Sequence, residues 1–524
     1  MGVGGLAVED WWRDAVYYRL QVDSFKDNDG DGLGDLIGAT KQLSYVRALG
    51  ADAVILSPIS ARSTDCTKPG LLHHTDLDPR YGTLADFAAL LEKAKKLEIK
   101  VVIELPLNTV STASEWFVES DKSSSGLEHF MMWADEKPTE TIPGIEWIAI
   151  GDKHYASRDQ EALVNLCCDG VKAALSTMQC AWLRRGLAGV LINPDFEQDN
   201  NCAGNLMRHM SAAAVECART SNLETPVILV ESSLDPENAS LYYSEGAKSV
   251  LSDALSGVMK KTAAELALSI YSETLFAPYE LKPTWMTSRI MSGRTTTRFG
   301  ADMVDTINLL ALILPGAAII QQGDELGAAD GLLELIGPSE KCWPKKPLPA
   351  LAPFPWDDST NAGFSIEEPW MPVTPNYRYA NAKIQFSSDT SHAGVVRLGA
   401  AMRKSPAFGS HVEITRLENA ISVLRWGDTG SLLLVCNLGT NPTEAQPSRI
   451  PGIAPEMTVA ASSATSNYAA ESHILTDKIM KLNPGEAVLL AGAPRHCGGP
   501  GPVDKIATKL ADGWQKINKY FGSL

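Results

Sequence analysis

Short apolar runs alternate with amphipathic stretches over roughly 350 residues, the texture changes near Gly394, and the last residues form an amphipathic stripe. These observations predict an α/β chain: a closed (β/α)8 TIM barrel with a short inserted segment, a C-terminal antiparallel β-sandwich domain and a terminal amphipathic helix. The expected boundaries are 9–393 for the barrel, with the insertion at about 106–165, then 394–496 for the β domain and 497–524 for linker and helix.

The barrel elements follow in order. "DAVIL" (52–56) reads as a buried strand, and "LADFAALLEKAKKL" (84–97) carries apolar residues at the three- and four-residue spacing of a helix. "IKVVIEL" (99–105) is the next strand. A helix over "AALSTMQCAWLRRGL" leads to the strand "AGVLIN" (188–193), and "AAAVECART" leads to "PVILVE" (226–231). Strands joined through helices build a parallel sheet. From Gly394 onward, "VEITRLENAISVLRWGDTGSLLLVCNLGTNP" reads as short strands separated by turn dipeptides, and "GEAVLLAGAP" closes that region. After "GGPGP" (498–502), Val503, Ile506, Leu510, Trp514, Ile517, Tyr520 and Phe521 share one helical face, with lysines 505, 509, 516 and 519 around it. Such a face packs on the body of the protein or serves a partner or membrane surface.

The bulk numbers exclude some classes. The 524 residues are 44% hydrophobic and 21% charged, an ordinary globular composition. A net charge of −17 argues against nucleic-acid binding, which needs basic stripes. The nine cysteines form no paired CxxC pattern of a zinc cluster; a disulfide or two is possible, and an odd count leaves one thiol over. The longest apolar run, Ile307 to Ile320, is broken by Asn308, Pro315 and Gly316 and is too short to span a bilayer. No signal peptide precedes Trp11, and "MGVGGL" lacks the Ser or Thr of a myristoylation start. Asn238-Ala-Ser is a glycosylation sequon.

"DNDGDGLGD" (27–35) is spaced like a loop around a hard cation. An EF-hand would need Glu at its twelfth position, where Gly38 stands. The carboxylates of Asp27, Asp29, Asp31 and Asp35 with the Leu33 carbonyl would instead supply most of a Ca²⁺ shell. The alternative is an Asx-rich turn without metal.

"WWRDAVYYRLQVDSFKDNDGDGLGDLIGATKQLSYVRALGADAVILSPI", "DLDPRYGTLADF" and "LPGAAIIQQGDELG" resemble the α-amylase superfamily, glycoside hydrolase family 13, in its maltase-like members. The likeness spans roughly residues 10–490. It implies that "DNDGDGLGD" follows the first barrel strand and holds one structural Ca²⁺. It also locates the expected chemistry: a retaining glycosidase needs two neighbouring carboxylates, and this family adds a third, an Arg and two His.

Here those positions are altered. In "GVLIN", Asn193 stands where the family has its nucleophilic Asp, and Leu191 where it has Arg. Asp195, two residues on, is a distant substitute. "VILVESS" keeps the acid/base position as Glu231, a residue that a solvated or ion-paired side chain would equally explain. In "WMTSRIMSGRTTTRFG", Arg289-Ile290-Met291 replaces Asn-His-Asp, while Arg294 and Arg298-Phe299-Gly300 hold register. In "ELPLNTV", Asn108 stays and Thr109 replaces His; His73-His74 replaces an Asp-Tyr pair and reads as ordinary loop or surface.

A retained scaffold with Asn193, Leu191, Met291, Ile290 and Thr109 at degenerate positions resembles the catalytically dead branch of the family. That branch comprises the rBAT and 4F2-type heavy chains of heteromeric amino-acid transporters. The resemblance implies a non-catalytic ectodomain, extracellular at the plasma membrane, serving as chaperone and anchor for a multi-spanning amino-acid transporter light chain. Its membrane span and juxtamembrane cysteine are not among these residues. Two alternatives stand beside it: a weak or altered α-glucosidase relying on Glu231 and Asp195, and a soluble carbohydrate-binding pseudoenzyme.

Overall fold

The computed structural model describes residues 10–122, 126–139, 142–194, 200–257, 262–278, 280–337 and 341–495. Eight parallel strands close a barrel: β1 (Val16–Leu20), β2 (Ala53–Leu56), β3 (Lys100–Leu105), β4 (Gly189–Ile192), β5 (Val227–Glu231), β6 (Ser249–Ser252), β7 (Thr284–Met286) and β8 (Ala318–Gln321). β1 closes the ring by pairing with β8, Val16 opposite Ala318, and with β2, Tyr17 opposite Ala53. The strands expected from apolar runs lie within a residue of the observed spans.

Alternation with period two splits each strand between two cores. Tyr17, Ile55, Val102, Leu191, Leu229, Leu251, Met286 and Ile319 fill the barrel interior. Their neighbours Tyr18, Val54, Ile103, Val190, Val230 and Trp285 face outward into the larger core beneath the helices. Full burial of each such side chain contributes about 1.5–3 kcal/mol.

The covering helices begin where the sequence supplies caps. α1 (Leu36–Ala48) starts at Asp35, whose carboxylate accepts from Gly38 N. α2 (Leu84–Lys96) starts at a capping box between Thr83 and Asp86. α3 (Asp169–Leu183) and α4 (Asn200–Ser221) flank β4 in the chain and are cross-linked by Cys180–Cys217, with Cys167–Cys202 at their approach. α5 (Ala263–Phe276) follows β6, α6 (Val304–Ile313) precedes β8, and α7 (His392–Arg403) lies against α6. Among the described residues no helix is long and apolar enough to cross a membrane.

Between β3 and β4, short strands from Thr109–Val110 to Glu161–Leu163 form a small antiparallel sheet, the inserted segment. The change of texture at Gly394 falls inside α7. The C-terminal domain is antiparallel: β9 (His411–Leu417), β10 (Ala420–Trp426), β11 (Ser431–Cys436), β12 (Glu456–Ser462), β13 (His473–Leu475) and β14 (Ala487–Gly492) make one sheet in the order β9-β10-β11-β14-β12-β13. Strands Thr443–Ala445 and Met480–Leu482 pair beside it and share its core. The expected helix over 503–521 lies outside the described residues.

A buried arginine fastens the two domains. Arg403 of α7 donates to the carbonyls of Leu312 and Gly316, in and after α6, and through Nε to Asp14 O at 3.2 Å. Its guanidinium lies 4.8 Å from the Phe408 ring centroid, and Arg425 of β10 lies 3.9 Å from the same ring. Burial pulls both guanidinium groups down to about 10, yet each stays charged at neutral pH. We expect Arg403→Ala to strand three backbone carbonyls and lower stability by about 3 kcal/mol or more. Chemical denaturation with an unchanged m-value checks it.

Candidate active site

Two residues beyond the interior layer, the same alternation aims polar side chains at the C-terminal mouth of the barrel. Arg19 follows Tyr17, Glu104 follows Val102 and Glu231 follows Leu229. Arg19 Nη2 donates to Glu104 Oε2 and to Glu231 Oε2, each at 2.8 Å. The two carboxylate oxygens therefore lie no more than twice that distance apart. Arg289, from the loop after β7, donates through Nε to Glu231 Oε1 at 3.2 Å and through Nη2 to Ser232 O at 2.7 Å. Its Nη1 stands 3.9 Å from Asp253.

The charges set one another. Burial opposes ionisation of Glu231, but Arg19 and Arg289 outweigh it and hold the carboxyl below its usual range. Arg19 is likewise opposed by burial and raised by Glu104 and Glu231. The trio is a glutamate–arginine–glutamate bridge across the mouth.

A cavity of about 690 Å³ opens at this mouth. Glu104, Thr109, Glu161, Ile290, Met291 and Trp343 line it. Thr109 donates to Glu161 at 2.6 Å, and Arg62 pairs with the same carboxylate. Met291 is 80% exposed at the rim. Asn193 is exposed just past β4, and its carbonyl accepts from Asn108 at 3.1 Å. Leu191 is buried in the interior layer, below the polar mouth. Asp195 lies outside the described residues.

The family-like motif residues support the mouth from behind. Asp324 accepts from the hydroxyls of Thr287 and Ser288 at 2.6 and 2.5 Å, just before Arg289. Arg294 donates to the carbonyls of Ala329 and Ala352, and Arg298 to those of Gly257 and Thr287. Glu325, fully buried, accepts from Tyr18 and Tyr45 at 2.8 and 3.0 Å. His74, expected as loop or surface, is buried: its ring lies 4.2 Å from that of Trp116, and burial, then His73, lowers it to about 4. Sequence reading overlooked Arg19, Glu104 and the pairing role of Arg289; counting by two from the interior residues finds the first two.

The cation loop follows β1. Oxygens of Asp27, Asp29 and Asp35 come within 4.8 Å of one another. Asp31 instead accepts from Leu33 N at 2.7 Å. Asp27 accepts from Gly30 N and Gly32 N, and a Cβ on Gly32, at φ +94°, would collide with the Glu368 carbonyl. Burial, with the neighbouring aspartates adding, raises Asp31 and Asp35 despite their backbone donors. Asn238 is exposed, and its side chain donates to Asp235 at 2.6 Å.

Burial also raises Glu325 from 4.5 to about 7. A carboxyl raised on folding favours the fold below its unfolded value and loses that contribution as pH climbs through the folded one. Between pH 4.5 and about 7, Glu325 should thus reduce stability by up to about 3 kcal/mol. Glu325→Gln should flatten the stability–pH curve in that window, read by denaturation at fixed temperature.

Residues 20–192 and 278–410 match the family model described as alpha amylase, catalytic domain. Maltase A1 of Drosophila melanogaster is 25% identical over 84% of this chain and 89% of its own. A probable alpha-glucosidase of Rhizobium meliloti is 27% identical over 79% and 86%. Among solved structures, a Bacillus licheniformis trehalose-6-phosphate hydrolase superposes with TM-score 0.76 at 21% identity, over 92% of this chain and 100% of its own. The trehalulose synthase of Pseudomonas mesoacidophila MX-45 gives 0.75 at 20%, over 92% and 99%.

These findings correct the functional expectation. The relatives just described are named maltase and alpha-glucosidase. The heavy-chain reading, with its amino-acid transport and its scaffold without catalysis, is overturned. The physical flaw in it was to count only the altered positions. Asn193, Leu191 and Met291 lack carboxylates, but Glu104 and Glu231 supply a pair in the same layer. The light-chain partner rests on that resemblance alone and is not carried further.

Proposed function

The chain belongs to the alpha-amylase family, and from that premise we propose that it is an altered α-glucosidase whose working carboxylates are Glu231 and Glu104. One observation carries the reading: the two side chains share a single Arg19 nitrogen. That caps the separation of those two oxygens at twice 2.8 Å, which leaves room for the about 5–5.5 Å at which paired carboxyl groups support retaining hydrolysis. Glu231, kept ionised by Arg19 and Arg289, suits the nucleophile. It would form the ester to the anomeric carbon with a lone pair that the arginines leave free. Glu104, which lines the cavity, suits the acid/base once it carries a proton on the oxygen turned from Arg19: it gives that proton to the leaving oxygen and takes one back from the incoming water. Glu231→Gln and Glu104→Gln should each lower kcat/KM on maltose or a nitrophenyl α-glucoside by roughly 10²–10⁴-fold, with the melting temperature recorded alongside. A wild-type protein that turns over neither substrate, and whose melting neither sugar shifts, overturns the reading.

We also propose a structural Ca²⁺ at the loop after β1. Support comes from the convergent carboxylates of Asp27, Asp29 and Asp35 and from the mutual repulsion that a divalent cation would neutralise. The Leu33 carbonyl and Asp31 complete the expected donor set. Calcium at about 100 times its dissociation constant should add about 2.7 kcal/mol. The rise should vanish with chelator or in Asp29→Asn, as measured by thermal melting.

Outside the cytosol is the setting we propose. The two disulfides support it, since such bonds persist in oxidising compartments, and so does the exposed sequon at Asn238.

A further inference from the structure

Two thiols meet at the rim of the mouth cavity. Cys66 is exposed and Cys342 half-buried; both line the cavity, and the Cys66 thiol is near enough to act on that of Cys342. They come from loops far apart in the chain, one after β2 and one after β8.

Both loops are fixed by hydrogen bonds, and Arg80, from the connection that carries Cys66, ties them together through Arg62 O and Cys342 O. Around Cys66, Ser63 N donates to Gly70 O at 2.8 Å and Lys68 N to Asp65 O at 3.0 Å. The Asp65 carboxylate accepts from Thr67 N at 2.9 Å. Around Cys342, Arg80 Nη1 donates to the Cys342 carbonyl at 2.9 Å and Lys341 Nζ to Asp31 O at 2.8 Å. Trp343 packs 6.4 Å from Trp370, centroid to centroid. The contact is therefore preorganised, and a cross-link there orders little that is not already ordered.

We propose that Cys66 and Cys342 are a redox cross-linking site, forming a third, reversible disulfide that fastens the β2 and β8 loops across the mouth. The co-reactant is a disulfide oxidant such as oxidised glutathione. The Cys66 thiolate attacks one of its sulfurs, giving a mixed disulfide and releasing one glutathione thiolate. Cys342 then loses its proton to solvent and attacks Cys66 Sγ, expelling the second glutathione. Two protein thiols become one S–S bond, and one glutathione disulfide becomes two glutathiones. Burial, then the Cys66 contact, pushes the Cys342 thiol up to about 11. The closing step is accordingly slow at neutral pH and quickens as pH rises. The bond ties the stretch bearing Trp343 and Lys345 to the Pro58–Gly70 side of the cavity.

The test is disulfide mapping of the full-length protein, which needs no enzymatic activity and so stands apart from the glucosidase reading. The protein is incubated with oxidised glutathione, alkylated, digested without reduction and analysed by mass spectrometry. The expected result is a peptide pair joining Cys66 to Cys342, lost on reduction, beside Cys167–Cys202 and Cys180–Cys217. Cys66→Ser should abolish that pair and leave Cys342 alkylated after denaturation, with the other two bonds intact. Full alkylation of both Cys66 and Cys342 in the oxidant-treated wild type would overturn the proposal. So would either cysteine bonded to any other residue.

Discussion

Arg19 is the constraint on which the barrel mouth is built. A guanidinium only 3% exposed at its side chain is tolerable only when its charge is answered at short range. Glu104 and Glu231 answer it from β3 and β5. Strands that are not neighbours of β1 at this point are thus tied across the open end of the ring. The interior plug of Tyr17, Val102 and Leu229 directly beneath excludes water from one side of the bridge. Of this network Glu104 is the member that lines the cavity, so what enters meets a charge already answered by Arg19.

The motif residues that survive in the chain read differently once their partners are known. Arg294 and Arg298 spend their donors on backbone carbonyls, and Asp324 accepts from two hydroxyls and the Thr295 amide after β7. The Pro315-Gly316 turn presents the carbonyl that Arg403 binds. These residues hold loops in place; they neither contact the mouth cavity nor depend on what it does. Persistence of such motifs therefore reports the architecture and says nothing about chemistry in either direction.

Much of the fold was legible because it rests on periodicity. The strands at 53–56, 100–105, 189–192 and 227–231 and the helix at 84–96 are announced by apolar spacing. The site was less legible. Reading motif by motif drew attention to Asn193, Leu191 and Met291, where expected groups are missing, and away from Arg19, which belongs to no motif. A residue at a strand end gains its meaning from the opposite wall of the barrel, and that wall is remote in sequence. His74 failed for the same reason: its burial depends on Trp116 and Trp182, both distant along the chain.

The two disulfides bracket β4 in a particular way. Cys167–Cys202 and Cys180–Cys217 both join the chain before that strand to the chain after it, so its outer anchors are covalent. The wall that ends at Asn193 is thereby held covalently as well as by packing: α3 and α4 cannot part behind it without breaking a bond.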